Sequence, residues 1–387
     1  MPTMATGVRT TANANTETRR VRDVFPAMMK LEDQAAPLTV LMGRLRKKEA
    51  TDPKIEWFED ERLPTQDLLG AAIATAGATT MTVTNYKYFR NGDIVLIVET
   101  GEQVLVTATP STTTVTITRA WGEVSAAAAV TAGKLRIIGS AQEENDTSRD
   151  LLSTEKAPKF NYLGIIRDPF AVSNTLKVTK TYAGVDFEEE AANMLVAHRV
   201  KLELMNLQGQ RYEDTSGTEP KRSTRGIVRW ISTNVVNVGG DLTEPVFDAW
   251  LRRLFRYGSK NKVLLCAPIA TQAISGFAKD KLRPSDVMMK TYGMAITEYI
   301  SPFGKVMLAN HNLMTNDSLS DFDDIAGMII GVDMANVEMR HMKGRISVRK
   351  ENIQENDRDG RKDEYLSEAG LQVGLEKTHG KLTGITG

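Results

Sequence analysis

The sequence predicts an α+β protein that carries a small inserted all-β domain, and three observations lead there. A long amphipathic helix is written into residues 186–212, short Thr-, Val- and Ile-rich strands fill residues 69–141, and strands alternate with shorter helices from residue 242 onward. In the first of these, Phe187, Ala191, Met194, Leu195, His198, Leu202 and Met205 recur at steps of three and four, which lines one helical face. Asp186 is placed to cap the helix, and Glu188, Glu189 and Glu190 fill the first turn, where the helix dipole favours negative charge. Gly209 is the stop signal. A helix of roughly 22 residues is about 33 Å long, enough to carry a large, flat molecule.

The remaining elements follow in order. Residues 1–22 are small and polar, with Arg9, Arg19, Arg20 and Arg22 set against Glu17, the composition of an arm without a core of its own. Through 23–64, Pro26, Pro37 and Pro53 cut the pattern into short pieces, with a short helix through Val40, Leu41 and Leu45 and a strand at 54–59; the segment reads as an extended arm. Five strands are expected in the inserted domain, at 79–86, 93–99, 103–109, 114–121 and 134–139, separated by turn signals such as Asn91-Gly92 and Gly101. An acidic polar stretch leaves it, and extended runs at 162–166 and 170–181 lead back to the long helix, so the insert rides on a protruding hairpin.

A second amphipathic helix is expected at 242–257, with Thr243 as N-cap, Val246, Phe247, Trp250, Leu251 and Leu254 inward and Gly258 as its stop. Then come a buried strand at 262–267, a helix at 269–279, a hairpin at 294–309 and an apolar strand at 327–332. Strands at 337–342 and 346–349 are expected to pair with or near that strand, and two tail strands to return beside the long helix.

Composition narrows the function. A chain of 387 residues with 41% hydrophobic content can bury real cores, and 49 basic against 49 acidic residues leave no overall field toward nucleic acid or membrane. Any nucleic-acid contact must therefore be local. The single cysteine, Cys266, sits in the apolar run KVLLCAP and reads as an inert core thiol in a reducing compartment. No apolar run approaches the roughly 18 residues that cross a bilayer.

Catalytic signatures are missing: there is no phosphate-cradling G-x-x-x-x-G-K-[ST], no G-x-G-x-x-G and no G-x-S-x-G. His198, His311, His341 and His379 are far apart, none at metal-ligand spacing, and His198 reads as a packed or interfacial residue. The loop with Asn316, Asp317, Asp321, Asp323 and Asp324 concentrates hard oxygen ligands but lacks the glycine and terminal Glu of a calcium loop. The expectation is no enzyme, no cofactor and no metal; a metal-dependent hydrolase built on Asp317, Asp321 and Asp323 is the competing enzyme reading.

The order of elements, with APL at 36–38, EWFED at 56–60, FNYLGIIRDPFAVSNT at 160–175, YAGVDFEEE before the long helix, LELMNLQG at its end, STRGIVRWIST at 223–233 and KTHGKLTGIT at 377–386, resembles the major capsid proteins of tailed bacteriophages. These have the Hong Kong ninety-seven fold, and the likeness is closest in kind to the SU-ten-type major head proteins. The resemblance implies an N-terminal arm and outgoing strand of an extended loop (1–67), an inserted β-barrel or sandwich (68–141), the returning strand (142–185), a spine helix and peripheral domain (186–235), an axial domain (236–345) and a C-terminal return to the peripheral domain (346–387). It implies a non-enzymatic subunit that assembles as hexamers and pentamers into a head shell around double-stranded DNA, built in the host cytoplasm and ending in the virion.

Expected partners are many copies of itself, a separate scaffolding protein, a portal, a decoration protein and, non-specifically, the packaged DNA; no membrane and no covalent cross-link are expected. The residues expected at subunit contacts are Arg19, Arg20 and Arg22 of the arm, Trp57 and Phe58 of the hairpin, and Glu188, Glu189 and Glu190 of the spine helix. An encapsulin-like shell, or another tail or head-surface protein of the virion, is the alternative.

Overall fold

The computed structural model describes residues 47–109, 113–129, 131–144, 148–149, 151–179, 186–277, 282–284, 296–311, 314 and 325–386. Two compact units emerge: Phe58–Pro158, and the remainder of the chain on both sides of it. Residues 1–46 of the arm, with the short helix expected through Val40, and the acidic loop at 316–324 lie outside the described residues.

The larger unit begins with β1 (Lys47–Ala50) and β2 (Lys54–Glu59), the latter where alternation placed a strand. The smaller unit then contributes β3 (Gln66–Leu68), β4 (Thr80–Thr82), β5 (Asp93–Ile97), β6 (Gln103–Ala108), β7 (Thr114–Thr118) and β8 (Lys134–Ser140). Their order is β3-β8-β5-β6-β7-β4, and an antiparallel bridge between Leu69 and Val83 joins the two edges. The sheet thus closes into a barrel, which removes the free edges that invite mispairing. Alternate residues of β5 and β6 point inward, so Val95, Ile97, Val104, Val106, Val115 and Ile117 share one apolar core with Met81 and Leu135. One strand more is present than periodicity predicts, because β3 is only three residues long and too short to alternate visibly.

Returning to the larger unit, β9 (Ala157–Tyr162) pairs with β2, and β10 (Gly164–Ser173) follows. The expected strand through residue 181 is cut short. Ser173 accepts the N–H of Leu176 at 3.3 Å on its side-chain oxygen and opens α1 (Asn174–Val178). The long helix, α2 (Asp186–Gln208), lies where its apolar spacing puts it. After β11 (Tyr212–Asp214), β12 (Lys221–Ser223) and the single turn α3 (Ile227–Trp230) come β13 (Val235–Gly240), α4 (Glu244–Leu254), β14 (Asn261–Cys266) and α5 (Pro268–Phe277). The chain ends with β15 (Leu282–Pro284), β16 (Ile296–Ser301), β17 (Gly304–Asn310), β18 (Ile329–Val332), β19 (Val337–Met342), β20 (Val348–Lys350), β21 (Gly360–Val373) and β22 (Gly380–Ile385).

Two sheets organise this unit. The first runs β1-β19-β21-β10, with β20 also pairing β21. Its centre is β21, which pairs with β10 from Gly164↔Ala369 to Ser173↔Gly360. Pro169, which cannot donate to a ladder, is tolerated because β10 is an edge strand. The second sheet runs β13-β22-β18-β14-β17-β16-β15. Its β14 is buried on both faces: Val263, Leu265 and Ala267 face a core shared with α2 and α3, while Leu264 and Cys266 face Trp250, Phe247 and Ile274 of α4 and α5. Each such fully buried side chain contributes roughly 1.5–3 kcal/mol.

Three expectations change. The strands at 337–342 and 348–350 join β21 in the first sheet rather than β18, because Val337, Met339 and Leu371 complete the core beneath α2. The tail strands part: β21 stays beside α2, but β22 inserts between β13 and β18, where Leu382 and Ile385 are buried. Thr243 is the N-cap of α4, as expected, with its backbone carbonyl accepting the N–H of Phe247 at 3.0 Å and no side-chain cap bond. α4 ends at Leu254 with Phe255 as its C-cap, ahead of the stop expected at Gly258; Gly258 instead serves the turn that follows, with a φ of +82° and a position where a Cβ would lie 2.3 Å from Oδ2 of Asp333.

Candidate functional site

The face of α2 turned to β10 and β21 is apolar at its start and polar farther on. Phe187 and Ala191 pack with Phe170, Val172 and Tyr365, but one turn beyond Leu195 the helix buries His198 completely. Its Nδ1 lies 2.6 Å from Oδ2 of Asp168, and its Nε2 lies 2.7 Å from Oγ of Ser367. The second oxygen of Asp168 takes an ion pair from Lys201. Burial opposes ionisation of Asp168, yet the bonds from Lys201 and His198 outweigh it and hold the carboxyl below the usual carboxylate range.

Asp, His and Ser in this order have the spacing of an acyl-transfer triad, but a nucleophile needs open space and oxyanion donors beside it. Ser367 is fully buried, its oxygen already accepts the N–H of Ser347 at 2.9 Å, and Tyr365 closes the other side of the imidazole. The arrangement is a fastening between helix and sheet.

The same fastening continues along the helix. Glu203 lies 3.0 Å from Nε2 of His311, both fully buried. Asn161, also fully buried, donates to the carbonyls of Leu371 and Arg225 and accepts the N–H of Arg225, locking β9 against β21 and the loop before α3. At the start of the helix, Asp363 of β21 bonds Arg349 and Arg361, whose guanidinium groups lie 5.6 and 4.6 Å from the Phe187 ring. In the second sheet, the fully buried ammonium of Lys262 donates to the carbonyls of Tyr257 and Thr378, and burial pushes it down to about 8.

Of the residues expected at subunit contacts, Phe58 is open, with 70% of its surface exposed. Trp57, next to it, spends its ring on Trp230 of the same chain at 5.5 Å between centroids. Glu188 pairs with Arg349 at 3.3 Å, which holds its carboxyl below the usual range, while Glu189 is half-buried and Glu190 exposed. Arg19, Arg20 and Arg22 lie outside the described residues. Cys266 is buried and burial pushes its thiol upward, as expected of an inert residue. Among the described residues, no group of three or more His, Cys, Asp or Glu side chains is placed to hold a metal, and no helix is long and apolar enough to cross a membrane.

A feature that periodicity does not reveal is a cavity of about 580 Å³ past the C-terminal end of α2. Arg211, Arg225, Arg229 and Lys381 line it together with Gln208, Gln210, Val228, Ile325 and Met328, and among the described residues no carboxylate does. These cations belong to stretches that stand out in the sequence, STRGIVRWIST and KTHGKLTGIT among them, but more than a hundred residues separate Arg229 from Lys381 until β22 crosses to β13.

The sequence matches the family described as SU10 major capsid protein over residues 4–386. A major capsid protein of Pseudomonas phage PaMx41 is 24% identical over 287 residues, which is 71% of this chain and 67% of that protein. Among solved structures, a chain from Mycobacterium phage Bobi superposes with a TM-score of 0.50 at 9% identity, covering 96% of this chain and 97% of that one. The capsid of a native GTA particle gives 0.49 at 10% identity, covering 98% and 100%. With its mixed sheets, single long helix and inserted barrel in an α+β fold of the Hong Kong ninety-seven type, the chain belongs to the SU10 major capsid protein family.

Proposed function

We propose that this phage major capsid protein builds its shell from hexamers and pentamers that enclose double-stranded DNA, with a separate scaffolding protein, a portal and a decoration protein as partners. The family match across residues 4–386 carries the reading. The seven-stranded sheet takes the axial role toward a capsomer centre, α2 lies in the shell as its spine, and the arm and hairpin reach neighbours. Phe58, exposed beside the acidic Glu59, Asp60 and Glu61, is the strongest subunit contact among the described residues. Trp57 serves it by anchoring the base of the hairpin on Trp230. Arg19, Arg20, Arg22, Glu188, Glu189 and Glu190 complete the proposed contact set. Each chain must bury well over about 1,000 Å² against several neighbours.

Assembly in the host cytoplasm and residence in the virion follow from this role. The sealed Asp168–His198–Ser367 cluster favours a purely structural protein. Negative-stain electron microscopy and size-exclusion chromatography of the protein expressed alone are expected to show closed shells or capsomer rings. Co-expression with the scaffolding protein should shift rings to shells of uniform size. A monomer under both conditions would remove the tiling role, and particles loaded with a protein cargo in place of DNA would identify an encapsulin-like shell.

A further inference from the structure

Among the described residues, the four cations at the end of α2 are held by carbonyl and ring contacts, and none forms an ion pair with a carboxylate. Arg211 donates through Nη1 to the carbonyl of Phe160 at 2.8 Å and lies 3.9 Å over the Phe160 ring. Arg225 stacks 4.5 Å over Trp230 and donates to the carbonyl of Arg229. Arg229 donates through Nε to the carbonyl of Gln208 at 3.1 Å, and Lys381 donates to the carbonyl of Val228 at 2.9 Å.

Carbonyl and ring contacts fix where each group sits without neutralising it, and every guanidinium keeps further N–H groups for a ligand. The nearby acids are engaged elsewhere. Glu213 takes Arg222, and Glu376 takes the backbone N–H groups and hydroxyls of Ser232 and Thr233. Burial, together with the mutual repulsion of Arg211, Arg225 and Arg229, lowers the affinity of Arg225 for its proton, and burial together with Arg229 does the same to Lys381. A closed monomer gains nothing from gathering like charges in this way; an anion in the cavity turns the repulsion into attraction.

Because three guanidinium forks and one ammonium converge on one cavity, we propose that it is a phosphate site, filled in the assembled shell by the backbone of the enclosed double-stranded DNA. Phosphate fits better than carboxylate because several oxygens face different donors at once, whereas a carboxylate offers two oxygens in one plane. A chain with 49 basic and 49 acidic residues can hold nucleic acid only through such a local cluster. The DNA source rests on the shell reading; the phosphate chemistry does not.

The test uses the full-length protein before shell closure. A fluorescein-labelled DNA duplex is titrated by anisotropy across a series of NaCl concentrations, inorganic phosphate is titrated by calorimetry, and particle formation is followed separately by electron microscopy. The double variant R229Q/K381Q, which leaves the Trp230 stack untouched, is expected to lower the salt slope of binding by about 2, since each phosphate contact contributes about 0.9. R225K should restore most of the slope that R225Q removes, and K47Q/K48Q, altering two exposed lysines outside the cavity, should leave it unchanged.

A heat of phosphate binding that disappears in R229Q/K381Q while the DNA slope stays constant keeps the phosphate site but overturns DNA as its source. No change in either measurement overturns the site. A peptide of residues 56–61 that binds the wild type and not R229Q/K381Q, with no response to phosphate, also overturns it and makes the cavity a socket for a neighbouring copy. Wild-type protein that shows the slope difference but never forms particles would break the shell reading and leave the site standing.

Discussion

The inserted barrel and the seam between α2 and β21 solve the same packing problem in opposite ways. The barrel fills its interior with hydrocarbon around a fully buried carboxylate: Glu102 accepts two bonds from Arg119, at 2.7 and 2.6 Å, and the N–H groups of Ala120 and Ala127. The seam threads Asp168, His198, Ser367, Asp363, Glu364 and Glu368 through a strand buried from residue 363 to residue 371. A closed barrel has its register fixed by its own circumference. An open sheet under a long helix has no such closure, and directional bonds supply what shape alone does not: one register and one helix rotation.

Removing Glu102 tests the barrel's half of that contrast most severely. Glu102→Ala strands the Arg119 guanidinium, only 6% exposed, and should cost about 3–5 kcal/mol, unfolding the barrel while hydrogen exchange in α2 and β21 stays protected. If protection is lost in both regions together, they do not fold as separate units. In the seam, Asp168→Asn removes the charge that meets both Lys201 and His198 and should cost about 3 kcal/mol, seen as a lower urea midpoint with the same slope.

Acid discriminates between the barrel and the second sheet of the larger unit, because all four histidines lie outside the barrel. His379 accepts the N–H of Asp333 on Nδ1, and burial pushes it down to about 4 from an ordinary value near 6.5. Between those values the unfolded chain binds a proton that the folded one does not, so stability is complete above about pH 6.5 and declines toward pH 4. The loss is on the order of 3 kcal/mol. Urea titrations at pH 7 and pH 4.5 should show it in the sheet that holds β22, and His379→Gln should flatten it. The smallest effect belongs to the exposed end of the seam. Glu188→Gln cuts a pair that water screens, and its cost should be the least of these and shrink further in high salt, measured as a shift in melting temperature.

Much of the fold is legible in the residues. Phe187, Ala191 and Leu202 mark the buried face of α2 by spacing alone, and the run of apolar residues from Val263 to Cys266 announces a strand covered on both sides. Trp250 and Leu254 do the same for α4. The hairpin at Ser301 and Gly304 is visible for the same local reason. The candidate sites are less visible. Phe58 and Trp57 stand out as aromatics in a charged strand, but that one is open and the other packed at a tilt on Trp230 depends on partners far along the chain. Glu188 reads as a helix-dipole residue and is also a partner of Arg349, 161 positions away.

Sequence alone determined what neighbouring residues decide between themselves: the length of α2, the alternation of the barrel strands and the overall neutrality of charge. Tertiary structure decided which strands meet and which charges they bring along. It placed β22 in the second sheet, set Ser367 against His198, and drew Lys381 to Arg229. Local propensity acts over three or four positions and is written in the order of residues. Pairing across a hundred or more positions depends on burying a whole face at once, and only the folded chain performs that sum.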